Sequence, residues 1–213
     1  MLDTTKIFTN FSFLFTYPET HFDEIIKQVL NELVLVGQSE VVETLNRLHD
    51  FFKSPKFSDV EETFTRTFDM NPACCLEVGW HLFGEDYKRG EFLVLMRQSL
   101  AEERIPESTE LPDHLSHCLQ LLAKLEDEDG YEFARVFILP ALEKIQHGCK
   151  DKVTNPYTQL VDALMVLLKS VYEIKEIPSS SPKHTDPKLN FQESFHLQNT
   201  GNGVLNNHSE KML

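Results

Sequence analysis

From residue 20 onward the apolar positions recur at helical spacing. Phe22, Ile25, Ile26, Val29, Leu30 and Leu33 form one stripe, and Val41, Val42, Leu45, Leu48 and Phe52 form the next. Gly37 divides them, and Ser39 has the side chain to cap the second. Phe57, Val60, Phe64 and Phe68 mark a further helix. The run Asp69-Met70-Asn71-Pro72 stops it and starts a helix over 73–83, because proline is tolerated in a first turn and not deeper. Gly84 and Gly90 bracket a short connection ahead of the stripe Phe92, Leu93, Met96, Leu100, which Pro106 ends. Leu115, Cys118, Leu119, Leu122 and Leu125 then repeat the pattern up to an acidic stop at EDEDG (126–130). A helix over 131–147 is kinked or divided by Pro140, and the last, 157–173, opens with Asn155-Pro156.

Alternating strand patterns and hairpin turns are missing from this core. The pattern predicts an all-α protein in which stripes of this length need neighbours for burial, hence a single multi-helix bundle over residues 1–175. No fixed repeat points to a solenoid. From 176 to 213 the composition shifts to PSSSPKHTDPKLN and then to a Gln/Asn/Gly-rich end, which predicts a flexible, disordered tail. Leu189, Phe191, Phe195 and Leu197 are its only candidates for docking or for a short helix.

Composition narrows the class. Of 213 residues 41% are hydrophobic and 25% charged, which suits a soluble globular domain. The formal charge of -14 repels phosphate backbones and anionic lipid, so nucleic acid is excluded as an expected partner and a basic protein segment is favoured. Residues 178–213 are neutral: Lys183, Lys188 and Lys211 balance Asp186, Glu193 and Glu210. IFTNFSFLFTY (7–17) is too short and too interrupted for a spanning helix and lacks a leader's cleavage pattern, so no stable membrane insertion is expected. Four cysteines, two of them adjacent (Cys74, Cys75), do not make a disulfide framework, and a reducing cytoplasm is the expected compartment.

Phosphate loops, dinucleotide fingerprints, nucleophile elbows and zincin helices are all absent, so nothing points to an enzyme. Two stretches stand out. In ELPDHLSH (110–117) and the Cys118 that follows it, His114, His117 and Cys118 are three and four apart and can offer metal ligands jointly with Cys74, Cys75 or His81, while Cys118 also fits the apolar stripe as a small core residue. Asp113 beside His114 has the form of a general-base pair. The plain alternative is capping, with Pro112 in the first helical position and Asp113 in the first turn. In GWHLFGEDYKRGEF (79–92), Trp80, Phe83, Tyr87 and Arg89 gather around glycine-flanked turns; Trp80 and Phe83 suit either a core or a recognition surface.

FTRTFDMNPACCLEVGWHLFGEDYKRGEFL (64–93), ELPDHL (110–115), PAL (140–142) and NPYTQLVDAL (155–164) together resemble the nitrate reductase delta-subunit family of molybdoenzyme assembly chaperones, over about residues 5–172. These are all-helical cytoplasmic proteins related to the chaperones of trimethylamine oxide and dimethyl sulfoxide reductases. The wider family carries an E-P-x-D-H type motif and an aromatic-x-x-Leu-Phe motif associated with partner binding. Glu110, Pro112, Asp113 and His114 stand for the first as E-x-P-D-H; Trp80-His81-Leu82-Phe83 approximates the second with one residue fewer.

The resemblance implies a chaperone, not an enzyme, with no cofactor or metal of its own. Its partner would be the molybdopterin-binding catalytic subunit of a dimethyl sulfoxide reductase family oxidoreductase, held by its N-terminal segment while cofactor is inserted. The expected partner-binding residues are Glu110, Asp113, His114, Trp80, Phe83, Tyr87 and Arg89, with Glu110, Asp113 and His114 forming a polar rim at a helix start. The alternatives are a metal-dependent helical enzyme using His114, His117 and Cys118, or a permanent structural subunit of the reductase.

Overall fold

The computed structural model of the chain describes residues 3–19, 22–34, 39–53, 56–149 and 155–178. The expectations for Gly37 and for the tail beyond residue 178 lie outside them. Among the described residues the protein is all-α, as the pattern predicts, with one isolated antiparallel bridge, Glu77 to His114.

The stripes become α2 (Phe22–Val34), α3 (Ser39–Lys53), α4 (Phe57–Thr67) and, at the end, α10 (Pro156–Val171). α10 starts as anticipated: Asn155 caps it, its side chain accepting from the Tyr157 amide at 3.0 Å, and Pro156 takes the first turn, where no amide hydrogen is needed. α10 packs on α3, which packs on α2.

A helix that leader and membrane criteria pass over lies at the centre. α1 (Thr4–Leu14) is capped by Asp3, whose carboxylate accepts from the Lys6 amide, and it lies against α2 and the later α7 (Leu115–Leu122). Ile7, Phe8, Phe11, Leu14 and Phe15 are wholly buried. Their spacing is that of one helix face, and each large side chain removed from water contributes about 1.5–3 kcal/mol.

Three other expectations shift. The helix foreseen over 73–83 is only α5 (Val78–Phe83), preceded by turns and the bridge residue Glu77, and Gly84 ends it with φ +61°, a positive value that glycine adopts without strain. Gly90 lies inside α6 (Tyr87–Glu102), not at a connection, because Asp86 already caps that helix by accepting from the Lys88 amide at 2.9 Å. EDEDG opens a helix instead of ending one: Asp127, Glu128 and Asp129 occupy the first turn of α8 (Asp127–Phe133), where acids complement the helix dipole.

Pro140 does divide its segment. A π-helical turn, Ala134–Ile138, joins α8 to α9 (Leu139–Gly148), and the proline falls in the first turn of α9, so the wide turn absorbs its missing donor. Cys74 and Cys149 form a disulfide with Cα atoms 5.6 Å apart, against the expectation of free thiols; Cys75 and Cys118 are free. The two segments meet there closely: a Cβ on Gly148 would overlap the Ala73 carbonyl.

Candidate functional site

The two stretches singled out in the sequence are clipped together by backbone. Val78 donates to the Asp113 carbonyl at 2.9 Å and Leu115 donates to the Leu76 carbonyl at 2.8 Å, so residues 76–78 and 113–115 run as a minimal antiparallel pair. α5 and α7 each begin immediately after this pair, and α6 packs against both. Trp80 and Phe83 on α5, Arg89 on α6, and Asp113 and His114 at the entry to α7 therefore converge.

Asp113 and His114 are not a rim. Asp113 is 0% exposed and His114 6%, because the 76–78 strand covers them. Nor does Asp113 open the helix: α7 starts at Leu115, and His114 is its cap, its Nδ1 accepting from the Ser116 amide at 3.3 Å with the Ser116 hydroxyl 2.7 Å away. Since Nδ1 accepts from a backbone amide, the ring proton of the neutral form sits on Nε2. Burial above all pushes the His114 pKa down to about 4, with Glu77 opposing and His117 adding to the shift.

Asp113 has an unusual environment. Among the described residues neither carboxylate oxygen takes a hydrogen bond, and the ionic partner is Arg89, with Nε 3.5 Å from Oδ2. That distance is longer than a good hydrogen bond, and Arg89 Nε is itself buried without one. Burial raises the Asp113 pKa; Arg89 works against the rise and Glu77 with it. The Arg89 guanidinium also lies over the Trp80 ring, 5.5 Å from its centre, in cation–π contact. Gly79 makes the arrangement possible, since a Cβ there would fall 2.7 Å from Asp113 Oδ2 and 2.9 Å from Phe92. Phe83 packs on Phe92 at 5.7 Å and so fixes the end of α5 to α6.

Outside this buried pair the face is acidic and partly apolar. Glu110 is exposed; desolvation, then Glu77 and Asp69, raise its pKa, so the fields of these three acids overlap. Beside them Leu111 is 45% exposed, and Tyr87, first residue of α6, is 82% exposed with no tie to the others. Glu77 and Gly79 are the contributors that sequence reasoning passes over, because their importance depends on the long-range clip.

The donors considered for a metal are committed elsewhere. His117 donates from Nδ1 to the Leu111 carbonyl at 2.8 Å, and its Nε2 meets the Ser108 hydroxyl at 3.0 Å. The Cys118 thiol faces the Asp113 carbonyl from a wholly buried position that raises its pKa. His81 Nε2 reaches the Cys75 carbonyl at 2.7 Å, and burial pushes the Cys75 thiol up to about 12. Among the described residues no group of three or more such side chains could hold a metal ion. The general-base reading of Asp113 and His114 fares no better, since the His114 ring bonds to Ser116 and not to Asp113.

A family model described as nitrate reductase delta subunit matches residues 37–165, more than half of the chain, and the match spans both halves of the clip. No curated protein matches the chain.

Proposed function

The chain belongs to the nitrate reductase delta subunit family, whose members are molybdoenzyme assembly chaperones, and from that premise we propose how it holds its client. Family members associate with a nitrate reductase catalytic subunit, itself a molybdoenzyme. The finer reading is that this chain binds the N-terminal segment of the immature catalytic subunit of a dimethyl sulfoxide reductase family enzyme in the cytoplasm, and releases it once cofactor is in place.

The observation that carries this reading is the junction itself. Two segments far apart in sequence are clipped so that an aromatic plate, an arginine and a buried carboxylate lie beside an acidic face formed by Asp69, Glu77 and Glu110. Such a face favours a positively charged segment by charge, and Trp80, Phe83, Tyr87 and Leu111 offer apolar surface to its hydrophobic part. Glu110, Tyr87 and Leu111 make direct contact. Asp113 and His114 act from beneath, His114 by capping α7 and Asp113 by holding Arg89. Moderate affinity suffices for a partner that must leave. Among the described residues no helix is long and apolar enough to cross a membrane.

The test is capture of the apo catalytic subunit from the native host with the tagged chain, and with the surface variant Glu110→Lys/Leu111→Ser. Both positions are exposed, so the variant should melt within about 0.5 kcal/mol of wild type. Capture should fall at least tenfold. Equal capture by the variant moves the binding face elsewhere, and finding the chain in the mature reductase at one copy per complex replaces the chaperone reading with that of a structural subunit.

A further inference from the structure

We infer that Arg89 is an internal occupant of a guanidinium seat formed by Trp80 and Asp113, and that an arginine of the incoming segment displaces it. The inference rests on the reading of this face as the client surface and adds a gate to it.

A buried ion pair that serves structure alone has its carboxylate oxygens filled by hydrogen bonds and meets arginine fork to fork. Here both oxygens of Asp113 are buried without a hydrogen bond, and Arg89 approaches most closely through Nε, at 3.5 Å, too far for a well-formed hydrogen bond. The seat is thus occupied imperfectly. A guanidinium entering from outside can bring paired N–H groups within hydrogen-bond distance of both oxygens, which Arg89, anchored in the first turn of α6, does not.

Arg89 is also poised to leave. It stands in the first turn of its helix, the positive end of the dipole, where a cation is disfavoured, so α6 loses nothing when the side chain swings out. Its side chain is 24% exposed, which gives a path to water without opening the core, and Asp86, one turn earlier and exposed, waits to receive it. Gly79 adds no side chain of its own to this crowded spot, where a Cβ would fall 2.7 Å from Oδ2, 2.9 Å from Phe92 and 3.5 Å from Arg89. The Trp80 ring discriminates by chemistry: a planar guanidinium stacks on it while forking a carboxylate, and a lysine ammonium does not do both.

The experiment titrates the full chain with a labelled synthetic peptide carrying two arginines ahead of an apolar run, and with the same peptide bearing lysines. Removing the internal competitor should tighten the arginine peptide about tenfold in R89Q, since apparent affinity is intrinsic affinity scaled by the fraction of empty seats. The lysine peptide, whose ammonium cannot both stack on Trp80 and fork Asp113 and so does not use the seat, should gain less than about twofold. R89K keeps a cation opposite Asp113 and guards against a folding defect; it should show a smaller gain of the same kind. Thermal melts confirm that each variant is folded. If folded R89Q and R89K bind the arginine peptide no better than wild type, Arg89 is a strut or a direct contact and the gate is wrong, with the client surface untouched. If no form, wild type included, binds either peptide, both the gate and the surface it rests on fall.

Discussion

Around Tyr157 the rings of Phe52, Phe64 and Phe68 meet edge to face with centres 5.3 to 5.6 Å apart, and Phe15 and Phe22 extend the cluster. At the other interior, where residues 76–78 meet 113–115, a fully buried carboxylate and an arginine nitrogen lie without hydrogen bonds. The first region removes a large apolar area from water with rings in favourable geometry and is built for stability. The second pays desolvation for groups whose partners are incomplete, and interiors tolerate that chiefly where function demands it. Both hold an orphan, since the Tyr157 hydroxyl also lacks a partner. One orphan is neutral and sealed in; the other is ionic and lies behind a movable side chain.

The largest effect expected from breaking this contrast is in the aromatic interior. Tyr157→Ala removes the ring that touches all three phenylalanines and leaves a cavity that α3, α4 and α10 cannot close, so unfolding free energy should drop by about 3–5 kcal/mol in urea titration. A loss below about 1 kcal/mol would mean that the cluster is not the stabilising centre.

Next in size is the acid limb of the second interior. His114 is neutral in the folded protein, with its pKa depressed from 6.5 to about 4. A group depressed on folding stabilises fully above its unfolded pKa and loses that contribution as pH falls toward the folded one. Between about pH 6.5 and 4 the protein should therefore lose on the order of 3 kcal/mol, because protonation puts charge in a buried ring and takes Nδ1 from the Ser116 amide. Asp113 works in the opposite direction, since its raised pKa makes the folded state bind that proton more readily as the solution is acidified. His114→Asn keeps a capping side chain and should flatten the acid limb. A limb of unchanged steepness would assign the titration to other groups.

The aromatic interior is the part that periodicity makes legible. Val60 and Phe64 on α4, and Leu160, Leu164, Leu167 and Leu168 on α10, are buried as their spacing requires. α1 carries the same signal in Ile7, Phe8, Phe11, Leu14 and Phe15; weighing that stretch only as a leader or a span hides a core helix. The second interior is only half legible. Residue types and the family resemblance pick out Asp113, His114, Trp80 and Arg89, but polar character suggests a surface rim, and no local pattern announces that residues 76–78 will cover it. The Cys74–Cys149 pairing escapes for the same reason, as contact across 75 residues leaves no periodic trace. Local rules see helices; the clip and the disulfide are made by tertiary packing.

Asp113→Asn sharpens the comparison at a smaller scale. The isosteric amide removes a buried charge that nothing hydrogen-bonds, and Arg89, partly exposed, is solvated in its place. Stability at pH 7 should rise by about 1 kcal/mol while capture of the client falls, a trade between fold and function. A variant that loses stability would show that Asp113 holds the clip together, and one that gains stability and keeps full capture would remove the carboxylate from the site.

The smallest effect separates the two orphans most cleanly. Tyr157→Phe deletes the unpaired hydroxyl and leaves the ring in its edge-to-face contacts, so the change counts only the cost of burying an oxygen among phenylalanines against the small void it vacates. Deleting an unsatisfied buried polar atom should stabilise by up to about 1 kcal/mol, read as a rise in the melting midpoint, with client capture unchanged because the hydroxyl belongs to the stability core. If Tyr157→Phe destabilises instead, the hydroxyl has a partner in solution, and the aromatic interior would then resemble the clip in holding a polar group that is meant to be used.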